Sequence, residues 1–464
     1  MDTSSKHHDA IEAKLGLWDA VSIIVGIIIG VGIFETPHDI FEKVSHPAMA
    51  IGLWVLGGVL ALIGALCFAE LASTYPRSGG EYVYLTRAFG PLMGFLFAWS
   101  QLSVTRSGSI AAMAYLFGKY AAALMGYDAD SGMLYVLAAA SVLFLTFVNI
   151  LGVRFGAGTQ NVLTTAKVLG LAAIILVGFT WGRGDLAVPE NPRAADAGWF
   201  VVAMIFVLWT YSGWHEAAYI VSEAHNRTRN IPLALLIGTG VVTVIYVLVN
   251  LAFVFALGFD GAQEKFATQR ILDLVWPGYG ARAMNVLIVV SSLGAINGMI
   301  FTTARIYSEF GRDHRVFRLL SHWSKRMKTP VRALAIQCVI STGMIAGVWW
   351  AGMGSDGFDS MVRLTVAVFW SFFCLTGVAL IRLRILDPDT HRPFRVPIYP
   401  LLPIIFSGWC FYIVVGAVVD DAKNGRVESL VGVAILCVGL PLYFLPQKLR
   451  PMQPRSHDLE AISK

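Results

Sequence analysis

The residues of this chain best placed to do chemistry are ionisable side chains inside long apolar segments. Lys167, in Thr164-Thr165-Ala166-Lys167, lies about two helical turns beyond the polar Gln160. Charges at such depth are costly unless partnered, so each is a functional candidate. Snorkelling to the surface would stretch the side chain. A functional ammonium is the better reading, standing where a coupling cation would and donating to backbone carbonyls of the first and eighth apolar segments. Glu216 follows His215 in a run of small and polar residues. Its carboxylate either picks up and releases a proton, or faces a wet vestibule, or pairs structurally with Arg106 or Lys167. Arg106 reads as a tie within a helix bundle. Glu35 lies toward the outer edge of the same region, Glu70 at the inner end of its segment as an interfacial or paired charge, and Arg363 and Lys119 near segment ends as snorkelling cations.

Backbone can do chemistry too. Gly26-Ile27-Ile28-Ile29-Gly30-Val31-Gly32-Ile33-Phe34 carries three glycines within seven residues, with Pro37 just beyond. Glycine is a weak helix former. A break inside a bilayer strands N–H and C=O groups, tolerable where they line a cavity or bind a ligand. Taken alone, the stretch reads equally as small-xxx-small packing of Gly26 and Gly30 against a neighbouring helix.

The elements that position these groups are membrane helices. Of 464 residues, 56% are hydrophobic and 14% charged, with mean hydropathy +0.66. A soluble domain carries about 25% charged residues, so the chain is a polytopic membrane protein. Twelve spans follow from hydropathy: 17–41, 50–73, 92–122, 134–152, 161–182, 199–224, 232–257, 282–305, 333–351, 359–381, 399–419 and 428–447. With both termini on one side, and with Arg282 and Arg305 at the ends of span 8 counted with the adjoining loops, that side holds 23 of the 35 Lys and Arg, the other side 8, and the spans 4. This asymmetry predicts cytoplasmic termini. Residues 1–16 show no small-residue cleavage site and form a cytoplasmic segment; 448–464 form a polar, disordered tail. The basic loop Arg305–Arg332 sets topology rather than binding nucleic acid. The five cysteines all lie in apolar segments without metal-ligand spacing, so packing is their role, and neither metal nor cofactor is expected. Gly152-x-x-x-Gly156-x-Gly158 follows no strand and reads as a loop.

Span 6 repeats the feature of span 1. Trp209-Thr210-Tyr211-Ser212-Gly213-Trp214-His215-Glu216 interrupts it with small and polar residues. Spans 1–5 (17–182) and 6–10 (199–381) start from opposite sides. Matching breaks in corresponding helices of two inverted halves point to the central site of a transporter, which favours unwinding at Gly30–Gly32 over packing. Residues 399–447 add two further helices.

These motifs resemble those of the amino acid–polyamine–organocation transporters, especially the L-type amino acid branch, over nearly the whole chain. Gly26 to Phe34 with Thr36-Pro37 looks like the family's G-x-I-I-G-S-G-I-F followed by Thr-Pro. Thr164-Thr165-Ala166-Lys167 is similar to its lysine-bearing segment. Ser212-Gly213-Trp214 matches a Gly-Gly-Trp-type break, and Asn226 with Arg229-Asn230-Ile231-Pro232 its exit. Ile296-Asn297-Gly298 with Thr302-Thr303-Ala304-Arg305 resembles V-N-G…S-S-R.

The resemblance implies an all-α leucine-transporter-type fold of five plus five inverted helices with two appended. It implies that amides around Val31, Gly32 and Ile33 hold a substrate carboxylate, with Ile28 and Gly30 also among the substrate-binding residues. Carbonyls near Trp209, Thr210, Ser212 and Gly213 would accept its ammonium, and Trp214 would shape or gate the pocket. Lys167, His215, Glu216 and Asn297 fall in the coupling or gating positions. Two departures stand out: Val31 replaces a serine, leaving only backbone donors, and His215-Glu216 replaces a neutral pair. Sodium-independent amino acid transport is the expected function, by exchange or proton symport, in the plasma (inner) membrane. A polyamine or cationic amino acid substrate, or a non-transporting sensor, is the alternative. The connection Met125–Gly132 lacks the cysteine through which animal L-type members join a heavy chain, so no such partner is expected. Isolated charges argue against a channel, and the lack of a nucleophile or metal cluster argues against an enzyme.

Overall fold

The computed structural model describes residues 16–77, 79–128, 131–182, 199–264, 267–324, 326–352 and 357–444. The expected tail from 448, residues 1–15 and most of the connection after span 5 lie outside them. The regular structure among the described residues is helical throughout. In chain order the helices are α1 (Leu17–Ile28), α2 (Gly32–Lys43), α3 (Pro47–Thr74), α4 (Glu81–Phe89), α5 (Pro91–Ser100), α6 (Arg106–Leu124), α7 (Gly132–Ile150) and α8 (Val153–Trp181). There follow α9 (Trp199–Thr210), a 3-10 helix (Trp214–Glu223), α10 (Arg227–Ala262), α11 (Ala267–Asp273), α12 (Gly280–Asp313), a second 3-10 helix (Arg315–Ser321), α13 (Val331–Trp350), α14 (Gly357–Leu386), α15 (Leu401–Lys423) and α16 (Glu428–Phe444).

Eight of these are long and apolar enough to cross a membrane: α3, α7, α8, α10, α12, α13, α14 and α15. The count is nine if α1 and α2, bent by 46° at their junction, form one span. The other expected spans are divided or short. Residues 92–122 are covered by α5 and α6 with a π-helical turn at Gln101–Thr105 between them, 199–224 by α9 and the 3-10 helix, and α16 has 17 residues. The chain is therefore a multi-pass membrane protein. Large apolar side chains such as Val136, Phe144, Val162, Leu169 and Leu176 are exposed on α7 and α8, as a lipid-facing surface requires. The buried core lies where α3, α10, α1, α8, α12 and α6 meet.

Several sequence expectations are corrected. Gly152 ends a turn at φ +140° as the N-cap of α8, and Gly156 and Gly158 lie inside that helix rather than in a loop. At Gly156 the missing Cβ leaves room for Asn149, whose Oδ1 lies 2.6 Å from where that atom would be. Helix α4 fills part of the expected connection before span 3. Arg363 does not snorkel alone: its guanidinium donates to Asp359 (2.8 Å), Asp420 (2.9 Å) and Asp421 (3.1 Å), tying α14 to α15. Cys437 is exposed, whereas Cys67, Cys338 and Cys410 are buried.

Glu70 is fully engaged. It accepts from Arg384 Nε (2.7 Å) and Nη2 (2.6 Å) and from the Val396 amide (2.6 Å), clamping α3 to the end of α14 and the segment beyond it. Removing one partner of a buried ion pair costs about 3–5 kcal/mol, because the other charge is left uncompensated. Glu70→Ala should therefore lower the melting temperature of the detergent-solubilised protein by several degrees. An unchanged melting curve would show that the clamp is not stabilising.

Candidate functional site

The glycine run breaks the first span as its composition predicts. Helix α1 ends at Ile28, Ile29 caps it through its N–H to Val25 O (2.9 Å), and α2 starts at Gly32. Phe34 and Glu35 donate back to Val31 O, and Gly30 donates to Ile28 O. The amides of Val31, Gly32 and Ile33 have no acceptor among the described residues, as befits a helix N-terminus. Both readings of the run hold, at different residues. Gly26 packs, since a Cβ there would fall 2.1 Å from Thr164 Oγ1, while Gly30 to Gly32 form the break.

The second break mirrors it. Helix α9 ends at Thr210, and Gly213 turns the chain at φ +113° before the 3-10 helix begins. Trp209 O is taken by the amide (3.1 Å) and hydroxyl (2.7 Å) of Ser212, so it is not the open acceptor expected from sequence. The carbonyls of Tyr211 and Ser212 accept nothing among the described residues. At Gly213 a side chain would be strained by φ and would meet Ile27 Cγ2 at 2.8 Å and Ile28 N at 3.2 Å. Gly213→Ala should reduce substrate uptake by at least about tenfold, the equivalent of 1.4 kcal/mol at the site; near-normal uptake in liposomes would refute the packing argument.

Two side chains fasten the breaks together. Tyr246 on α10 donates to Ile28 O (2.7 Å) and lies 3.2 Å from Thr210 O. Thr36 Oγ1 and Thr210 Oγ1 are 3.0 Å apart, joining α2 to α9. Lys167 on α8 is fully buried, and its ammonium donates to Gly26 O (2.6 Å), Ile29 O (2.6 Å) and Ser291 O (3.2 Å). Three N–H groups thus meet three carbonyls, two at the first break and one on α12. Ser291 adds its hydroxyl to Gly30 O (2.9 Å). Gly294 gives the lysine room, since a Cβ there would lie 2.6 Å from Nζ. Gly294→Ala should cut uptake about tenfold by displacing this ammonium, one charge-assisted hydrogen bond being worth about 1.5–3 kcal/mol.

A small cavity lies between the breaks. Ile28, Gly30 and Gly32 line it from the first break, and Trp209, Thr210, Ser212 and Gly213 from the second. His215 and Glu216 also face it, with Arg106 on α6. Glu216 pairs with Arg106 at 2.5 Å and accepts from Thr302 at 2.5 Å, so of its open readings the structure shows the Arg106 pair. Other expected residues stand off. Trp214 packs against Phe68 (5.0 Å), Phe373 (5.3 Å) and Phe406 (6.0 Å) instead of shaping the cavity, because the turn at Gly213 directs it into the core. Asn297 belongs to a buried amide chain, bonded to Asn149 (2.9 Å), Gln160 (2.9 Å) and Gly156 O (3.1 Å), which ties α7, α8 and α12 away from the cavity. Val31 and Ile33 are buried and are not among the residues that line the cavity. Among the described residues no group of three His, Cys, Asp or Glu is placed to hold a metal ion.

Paired breaks, free amides and an ammonium at the first break are the features the family resemblance calls for. A family model described as amino acid permease matches residues 15–441. The chain belongs to the amino acid permease family. This permease is 32% identical over 448 residues to the b(0,+)-type amino acid transporter 1 of Mus musculus, covering 94% of this chain and 88% of the relative. It is 28% identical to the serine/threonine exchanger SteT of Bacillus subtilis (strain 168), covering 94% and 97%. The large neutral amino acids transporter small subunit 2 of Mus musculus is 31% identical, covering 94% and 81%. The family and these relatives are amino acid transporters, not enzymes.

Sequence reasoning passed over Tyr246 and Ser291, which bond to carbonyls of the breaks, and Met113 and Thr365, which line the cavity. Each sits in an ordinary apolar or hydroxyl-dotted helix, and no local pattern marks it.

Proposed function

We propose that this permease is a sodium-independent amino acid exchanger of the plasma (inner) membrane with both termini cytoplasmic. In this reading α1–α2, α5–α6, α9 with its 3-10 helix, and α16 complete twelve spans. Residues 17–182 and 199–381 form two inverted five-helix repeats, with 399–447 appended. The observation that carries the reading is the polarity of the two breaks around one cavity. Free amides at the start of α2 suit a carboxylate, and free carbonyls after α9 suit an ammonium. An amino acid zwitterion presents those two charges side by side. The amides of Val31, Gly32 and Ile33 take the carboxylate, and the carbonyls of Tyr211 and Ser212 take the ammonium. Alternating access rocks one bundle of helices against the other around this point. The Lys167 ammonium occupies the place of a coupling cation, which makes sodium unnecessary.

Exchange is preferred to proton symport because Glu216 is held by Arg106 and Thr302. The same pair removes the support that Glu216 lent to a cationic or polyamine substrate. No heavy-chain subunit is invoked, since 125–132 carry no cysteine. The test is uptake of labelled amino acids into proteoliposomes. Exchange predicts uptake only into vesicles preloaded with unlabelled amino acid, unchanged when sodium is replaced by choline. Uptake into empty vesicles driven by an inward proton gradient would establish symport instead, and binding without uptake would establish a sensor.

A further inference from the structure

Beyond the two breaks, the cavity wall comes from α6, α14 and the start of the 3-10 helix, and its hydrogen-bonding capacity is unevenly used. Arg106 is 5% exposed and lines the cavity. Its Nη1 lies 2.5 Å from Glu216 Oε1, but Nε and Nη2 have no hydrogen-bond partner among the described residues. Glu216 Oε2 accepts from Thr302, while Oε1, the oxygen beside Arg106 Nη1, makes no hydrogen bond among the described residues. His215, 1% exposed, also has both ring nitrogens without a hydrogen bond; its Nε2 is 3.8 Å from Glu216 Oε1. Ser109 and Thr365, further along the same wall, give their hydroxyl hydrogens to Thr105 O (2.8 Å) and Val362 O (2.8 Å), so toward the cavity their oxygens can only accept.

The wall therefore holds unused guanidinium donors, an unused carboxylate acceptor and two hydroxyl acceptors, on an ion pair whose charges cancel. An aliphatic side chain would leave the buried donors unmet, which is unfavourable. A carboxylate would bring a second negative charge beside Glu216, and a cation would face Arg106 at close range. A hydroxyl or carboxamide both accepts and donates, and adds no charge. We infer that Arg106, held in place by Glu216, is the specificity-determining residue for the substrate side chain and selects uncharged, hydrogen-bonding amino acids over aliphatic and charged ones. The inference rests on the proposed placement of the substrate's carboxylate and ammonium at the helix breaks.

Preloaded proteoliposomes test it with near-isosteric pairs. Threonine uptake should exceed valine uptake, and glutamine uptake should exceed both leucine and glutamate, each by at least about tenfold, since a site built to hydrogen-bond rejects analogues lacking the group. Valine entering as fast as threonine, or glutamate as fast as glutamine, overturns the inference while leaving transport established. Entry of no amino acid in the panel would instead overturn the transport reading itself. Arg106→Met combined with Glu216→Gln removes both charges together and should collapse the threonine-to-valine ratio toward one. A ratio retained in that variant would show that Arg106 is not the discriminator. Arg106→Lys, which keeps the charge but loses the planar fork, should narrow the ratio without inverting it, and a ratio equal to wild type would count equally against the inference.

Discussion

Lys167→Ala is expected to lower uptake at least about a hundredfold, while the protein still inserts and purifies. The argument is one of stranded acceptors. The ammonium supplies donors to Gly26 O, Ile29 O and Ser291 O, and two of these belong to the first break, where no helical partner is available. Each buried group left unpaired costs about 1–3 kcal/mol, and 1.4 kcal/mol is tenfold, so two such losses at the site already account for the expected factor. Insertion survives because α8 remains a long apolar helix, and removing a buried charge makes it more apolar. Lys167→Met, which keeps length but not charge, should lose uptake as fully. The measurement is exchange in proteoliposomes normalised to inserted protein; wild-type rates in either variant would remove Lys167 from the mechanism.

Glu216→Ala is the second large effect, and it acts first on stability. Arg106 and Glu216 are both buried, so deleting the carboxylate leaves a guanidinium without its counter-charge, at a cost of about 3–5 kcal/mol. A marked fall in melting temperature in detergent is expected. Replacing Arg106 by Met and Glu216 by Gln together should recover most of that loss, since a neutral pair carries no desolvated charge. A double-variant melting temperature no higher than that of Glu216→Ala would show that the pair is not the source of the effect. The two predictions are separable. The lysine acts on backbone carbonyls at the first break, whereas Glu216 acts on a side chain across the cavity.

The contrast between Lys167 and Trp214 shows where sequence reading works. Lys167 is legible because a charge deep in an apolar helix must find acceptors, and the glycine-broken first span supplies them. Trp214 is not, because a tryptophan beside a break serves equally as cavity wall or core. The φ +113° turn at Gly213 sends it to Phe68, Phe373 and Phe406. The sequence leaves Glu216 open among proton carrier, wet carboxylate and structural partner, since it cannot say which of two basic residues lies nearest. Asn297 carried a family motif, yet it proves to be a brace among α7, α8 and α12.

By itself the sequence determined that this is a membrane bundle with breaks in two of its apolar segments and an ammonium near one of them. Those conclusions follow from solvation, because lipid can meet neither a buried charge nor an unpaired peptide group, and glycine composition marks where helices fail. Only the tertiary structure decided which peptide groups stay unpaired, that Tyr246 and Thr36 fasten the breaks to each other, and that Arg106 rather than Lys167 neutralises Glu216. Such pairings join residues more than a hundred positions apart, as Thr36 and Thr210 are, and depend on helix rotation and a few ångströms of approach. No local pattern encodes those quantities.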